Sequence, residues 1–122
     1  MMVVFANNQV IVADAAAAPS VTITTDPVAL NGFDRATAVT VINSMFGGTV
    51  RNLMIQGQTS NDGVTFLNDG PAKMYNLAAD TPDRVTADVN GGHFRFMFTF
   101  SITAGAGTGA VIFDVHCKLD HK

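Results

Sequence analysis

The sequence predicts an all-β protein: an antiparallel β-sandwich or jelly roll of about eight strands, with an extended N-terminal arm. Three observations predict it. All ten acidic residues are Asp and none is Glu; Glu favours helices, whereas Asp favours turns and caps. Thirteen Thr residues and abundant Val supply the β-branched side chains that suit strands. Short alternating segments recur between Gly, Asn, Asp and Pro turn signals, the spacing of a sandwich.

Residues 1–19 read as the arm and residues 20–122 as the sandwich domain. Within the arm, Val3 to Phe5 and Val10 to Val12 have the composition of short strands, and "ADAAAAPS" reads as one helical turn or a linker that Pro19 ends. The arm lacks a basic n-region, and Asn7, Asn8 and Gln9 break its apolar run, so it does not read as a targeting signal. From Ser20 the pattern is regular. Val21 and Ile23 alternate with Thr22 and Thr24 up to Asp26-Pro27, and Asn31-Gly32 marks a turn.

Thr37 to Ile42 is β-branched almost throughout, as in a strand covered on both faces. Phe46-Gly47-Gly48 turns the chain. Val50 to Thr59 is a long strand, with Leu53 and Ile55 on one face and Met54 and Gln56 on the other. Ser60-Asn61-Asp62-Gly63 is a hairpin signal, Val64 to Leu67 returns, and Asn68-Asp69-Gly70-Pro71 turns again. Lys73 to Leu77 and Arg84 to Val89 read as strands around the loop "AADTPD", and Asn90-Gly91-Gly92 as a tight turn.

The last two segments are the longest. In "HFRFMFTFSI" every second residue from Phe94 to Phe100 is Phe. In "AVIFDVHCKL" Val111, Phe113, Val115, Cys117 and Leu119 share a face. Pairing the two as a hairpin with Phe98 opposite Cys117 sets Phe100 by Val115, Phe96 by Leu119, Arg95 by Asp120 and Ser101 by Asp114. The Phe face is then core. Arg95, Met97, Thr99, Ile112, Asp114 and His116 share the opposite face, which suits a sheet surface that another subunit covers.

A chain of 122 residues fits one domain with a modest core. Only 14% of residues are charged, against about 25% in an ordinary soluble domain. Two readings of that deficit stand open: part of the surface is covered in the working state, or the surface is neutral and rich in Thr, Asn and Gln. The net charge of −3 and the scattered seven Lys and Arg residues argue against nucleic acid as a partner. No apolar run reaches the ~18 residues of a membrane span. The lone Cys117 has no intrachain partner for a disulfide and reads as a small buried hydrophobe.

No motif carries catalysis, so the chain is not expected to be an enzyme or to hold a cofactor. His93, His116 and His121, with Asp114, lack the spacing of converging zinc ligands. The loop "GAGTGA" precedes a strand, whereas a phosphate loop needs a helix N-terminus. "DVNGG" lacks the further acidic ligands of a calcium loop. The serines Ser20, Ser44, Ser60 and Ser101 form no nucleophile elbow. Asp62 and Asp69 as paired carboxylates lack an aromatic-lined cleft, since the chain has no Trp and one Tyr.

Gln58-Thr59-Ser60-Asn61-Asp62-Gly63-Val64-Thr65-Phe66 reads as strand, tight turn, strand. It resembles hairpins of tailed-phage structural proteins and of small β-sandwich binding domains. With its charge-poor arm, its Thr/Ala/Gly-rich strands and no Trp, the whole chain resembles a bacteriophage capsid decoration (cement) protein. That resemblance implies a homo-oligomer, dimer or trimer, that clamps the major capsid protein from outside on the virion surface. An apolar arm buries too little to order itself alone, and it gains order on a neighbour's edge or groove or on its own domain. The expected partner surface is Met1, Met2, Val3, Val4, Phe5, Val10, Ile11 and Val12 of the arm, with Arg95, Met97, Ile112 and His116. A glycan- or ligand-binding module of a phage tail or fibre, with a groove holding Tyr75, Asn76 and Arg84, is the alternative.

Overall fold

The computed structural model describes residues 1–47, 50–76, 83–103 and 107–122, without the side chains of Val50, Asp83 and Thr103. The described residues form ten strands: β1 (Met2–Asp14), β2 (Ser20–Thr24), β3 (Val28–Ala29), β4 (Arg35–Phe46), β5 (Val50–Ser60), β6 (Leu67–Asn68), β7 (Lys73–Asn76), β8 (Asp83–Asp88), β9 (His93–Thr103) and β10 (Thr108–Asp120). They form two antiparallel sheets. One has the order β1-β10-β4-β8; the other has the order β2-β9-β5-β6, with β3 also on β9 and β7 also on β5.

The ten strands fill eight positions. β2 and β3 are two pieces of one strand along β9, interrupted at Asp26-Pro27, and β6 and β7 are two pieces of one strand along β5. Successive positions alternate between the sheets except at β5 to β6, the winding of a jelly roll. The predicted fold class is the observed one.

Alternation decides which side chains meet between the sheets. β9 contributes Phe94, Phe96, Phe98, Phe100 and Ile102, and β10 contributes Val111, Phe113, Val115, Cys117 and Leu119; all are at most 2% exposed. Phe98 meets Phe113 across the sandwich, edge to face at 5.0 Å. Gly57 on β5 faces Phe96, and a Cβ there would lie 3.0 Å from the Phe94 ring, so its small size admits the aromatic row. Burial pushes the Cys117 thiol up to about 12, which keeps it protonated as a small core residue.

Three sequence expectations are corrected. The arm is strand β1, paired with β10 from Met2↔Lys118 to Asp14↔Thr108. Its β-bulge leaves Phe5 without a partner between Val4↔His116 and Ala6↔Val115, and Phe5 turns its ring edge-on to Phe94 and Phe96. Asp14 then closes the chain on itself: its carboxylate accepts the Ala16 and Ala17 amides, and its backbone bridges Ala18.

Second, β9 and β10 do not form a hairpin. They belong to opposite sheets and face each other across the core. Asp120 pairs with Arg35, not Arg95, through bonds of 2.8 and 3.0 Å, and Ser101 pairs with Ser20 and Asn52, not Asp114. Third, the return strand is shorter than Val64 to Leu67 and pairs only at Leu67 and Asn68. Gly48, Leu77, most of "AADTPD" (78–82) and the first part of "GAGTGA" (105–106) lie outside the described residues.

Candidate functional site

The two outer faces of the sandwich differ in chemistry. On the six-stranded sheet, which exposes Leu67 and Met74, outward polar side chains satisfy one another. The hydroxyls of Ser20 and Ser101 lie 3.1 Å apart, and those of Thr22 and Thr99 3.0 Å apart. Gln56, buried under the 61–72 segment, donates to the Gly57 and Gly70 carbonyls. Arg95 donates to Gln58 and lies 4.0 Å over the Phe66 ring. Long polar side chains here are held by their own neighbours.

The four-stranded sheet turns a different face to water. Of the nine large hydrophobic side chains exposed among the described residues, Met2, Val4, Val10, Val12 and Phe46 lie on it. Cross-strand partners share a face, so the register orders this surface in rows. Val12 and Phe46 flank the fully buried Ala110 in one row, and Val10, Ile112 and Ser44 form the next. Val4, His116, Val39 and Arg84 form a row towards the other end, followed by Met2, Lys118, Thr37 and Thr86.

A polar belt separates these ends. At the second irregularity of β1, Asn8 adopts a left-handed φ of 49°, a conformation Asn tolerates. Its amide donates to the Asp114 carboxylate, and its side chain accepts from Asn43 at 3.0 Å. These donors, the Asn8 amide first, hold the Asp114 carboxyl below the usual carboxylate range. Beyond the belt lie Arg84, His116 and Lys118, and Asp120 is held below the usual range chiefly by its bond to Arg35.

Three surface hollows have nearly equal volumes, 350, 360 and 370 Å³, so chemistry rather than size distinguishes them. The first lies on the Ser60–Asp62 turn with Asn90. There Asp62 accepts the Val64 and Thr65 amides and the Ser60 hydroxyl, each at 2.8 Å, and these bonds hold its carboxyl down to about 2. The second lies between β1 and β2, and the third at the charged end of the four-stranded sheet.

A depressed folded value means that the ion stabilises the fold. The Asp62 contribution is therefore fully present above the ordinary value of 3.8, and it is lost as the pH falls through about 2. The Val64 and Thr65 amide resonances are expected to titrate with a midpoint near 2 in the wild type and to lose that transition in Asp62→Asn. A midpoint near 3.8 would show that the turn bonds do not form.

The predicted partner residues separate into three groups. Met2, Val4, Val10, Val12, Ile112 and His116 share the outer face of the four-stranded sheet. Val3, Phe5 and Ile11 pack into the core, and the Met1 ammonium donates to the Leu119 carbonyl at 2.9 Å. Arg95 and Met97 lie on the opposite side of the molecule, because β9 belongs to the other sheet. Sequence reasoning missed Phe46, Val39 and Val41. Phe46 reads as a turn residue before two glycines, and a β-branched run does not show which of its faces is open.

The other candidate sites come apart. Among the described residues no three His, Cys or Asp side chains gather as metal ligands. His93 lies by Gly63, His116 on the four-stranded sheet, and His121 against Phe33 at 5.0 Å. Asp69 accepts from Thr59 and from the Asn90 amide, so it braces turns as Asp62 does. Tyr75 is 2% exposed in the core and Arg84 stands on the other sheet, so among the described residues Tyr75, Asn76 and Arg84 line no common groove.

No protein-family model matches this chain, and no curated protein sequence does. Solved structures share its fold. The PBSX exported protein XepA superposes with a TM-score of 0.65 at 7% identity, over 100% of this chain and 37% of that one. The structure of infectious bursal disease virus Gx strain gives 0.56 at 11% identity, over 99% of this chain and 32% of that one. The VP2 subviral particle of infectious bursal disease virus gives 0.53 at 10% identity, with 99% and 32% covered. This chain spans about a third of the length of each of these three structures, and at these identities the likeness is one of fold.

Proposed function

We propose that this chain is a virion structural protein: a decoration or cement protein that oligomerises and seats on the outside of the capsid to stabilise it. The observation that carries the reading is the asymmetry between the two outer faces. One face ties most of its polar side chains into its own hydrogen bonds and exposes Leu67 and Met74, while the other leaves Met2, Val4, Val10, Val12 and Phe46 in water. Clustered exposed apolar side chains mark interaction sites, and Val10, Val12 and Phe46 lie in two adjacent rows. The low charge content fits a surface covered in the working state. The jelly-roll likeness to viral particle structures supports the class, and the major capsid protein is the proposed partner.

Purified capsids of the encoding virus, titrated with the protein, are expected to saturate at a fixed copy number. Their disruption temperature is expected to rise with occupancy. Absence of saturable binding, or saturation with no rise in disruption temperature, would overturn the reading. The alternative glycan-binding reading predicts retention on a glycan array and indifference to capsids.

A further inference from the structure

We infer that the uncharged end of the four-stranded sheet's outer face, built on Val10, Val12, Phe46 and Ile112, is a self-association surface that seats a second copy of this chain across a two-fold axis. The inference rests on the oligomerisation part of the proposed function and names the surface and the partner. Val10, Val12 and Phe46 are 48%, 52% and 55% exposed, and the register sets them in two adjacent rows with Ile112.

Charge selects the occupant. In a two-fold contact a patch meets its own copy, so a patch with net charge repels itself and an uncharged apolar patch does not. The rows Val12–Ala110–Phe46 and Val10–Ile112–Ser44 contain no charged residue. The far end of the same face carries Arg35, Arg84, His116 and Lys118 together with Asp88 and Asp120, and the Asn8–Asp114–Asn43 belt divides the two. An axis crossing the strands at the apolar end overlaps the uncharged rows and carries the two charged ends away from each other.

The surface is preformed. Phe46 ends β4 at Gly47, whose φ of 73° and whose contact with the Thr108 carbonyl leave no room for a Cβ. Arg51 donates to the Gly47 carbonyl at 3.1 Å and pins the same turn. A turn held in this way loses little backbone freedom on binding. β4 pairs with β8 only up to Thr40, so among the described residues Asn43 to Phe46 have no strand beyond them. With β1 terminal on the opposite side, this end of the face is three strands wide among the described residues.

Sedimentation equilibrium and native mass spectrometry of the full chain over a concentration series test the inference. The wild type is expected to be a dimer. Val12→Asp, which sets like charges face to face, is expected to weaken it by about tenfold or more. Phe46→Ser is expected to weaken it too, with unchanged circular dichroism. Val64→Asp, at an 82% exposed position on the hairpin tip, is expected to leave it intact. Oxidised Val12→Cys is expected to trap a covalent dimer.

A monomeric or trimeric wild type would overturn the inference, as would equal dissociation by Val64→Asp. If Val12→Asp loses capsid binding and leaves the oligomer intact, the patch belongs to the capsid contact. The inference then falls and the decoration reading stands. A dimer that Val12→Asp splits, in a protein that binds no capsid, leaves the inference standing and retires the decoration reading.

Discussion

Replacing Phe98 with alanine is expected to destabilise the protein by about 3–5 kcal/mol. Phe98 is 1% exposed at the centre of β9. It pairs with Ile55 on one side and Ile23 on the other, and both point into the same core. Across the sandwich its ring meets Phe113 at 5.0 Å, and along its own strand it stacks 6.0 Å from Phe96. Truncation removes contacts in all these directions, and two β-sheets fixed by their own ladders collapse little into the space left behind. Total stabilities of domains this size run about 5–15 kcal/mol, so the variant is expected to be marginal. Urea denaturation of Phe98→Ala beside Met97→Ala checks it. Met97 is its half-buried neighbour on the outer face, and its truncation is expected to cost far less. Equal losses would show that the Phe row is not the core.

Deleting residues 1–14 is expected to prevent folding, not merely to release a partner. The sequence alone presents this segment as an arm, whose loss would alter assembly and spare the domain. As strand β1 it supplies Val3, Phe5 and Ile11 to the core along with Ala6 and Ala13. Large apolar side chains of this kind each contribute about 1.5–3 kcal/mol on burial. The deletion also strips β10 of its ladder from Lys118 to Thr108, leaving backbone groups of a core strand unpaired. Circular dichroism of the truncated chain is expected to show loss of β structure and of any cooperative melt. A folded truncated chain would restore the arm reading.

Much of the fold was legible in the residues. Absence of Glu, thirteen Thr and period-two alternation point to two packed sheets, and the alternation in β9 and β10 identifies the buried face of each. The turn at Asn31-Gly32 is legible because both residues adopt positive φ, 53° and 91°, which those residue types accommodate. The bulge at Phe5 was not legible, because a bulge needs a partner strand to be defined. Nor was the arm's fate. Its apolar residues state that it must be covered and leave open by what.

The candidate site was half legible. Val4, Val10, Val12, Ile112 and His116 were chosen for apolar or mixed character on a strand, and the structure gathers them on one face with Met2. Arg95 and Met97 were chosen by the same rule and lie on the other side of the molecule. The error came from taking β9 and β10 as a hairpin. Alternation is the same whether two successive strands bond edge to edge or arch over to face each other. Here the chain arches, and every outward residue of β9 leaves the face assigned to it.

By itself the sequence determined the class of fold, the approximate place of most strands, and which side of β9 and of β10 is buried. Those follow from local properties: β propensity, turn chemistry and a two-residue period. Only the tertiary structure decided which strands share a sheet, that β1 completes the domain, and that the uncharged and charged ends of one outer face are kept apart. Those depend on pairings between residues about a hundred positions apart, such as Val10 with Ile112. Such pairings are selected by the joint packing of two sheets, for which no single segment carries the information.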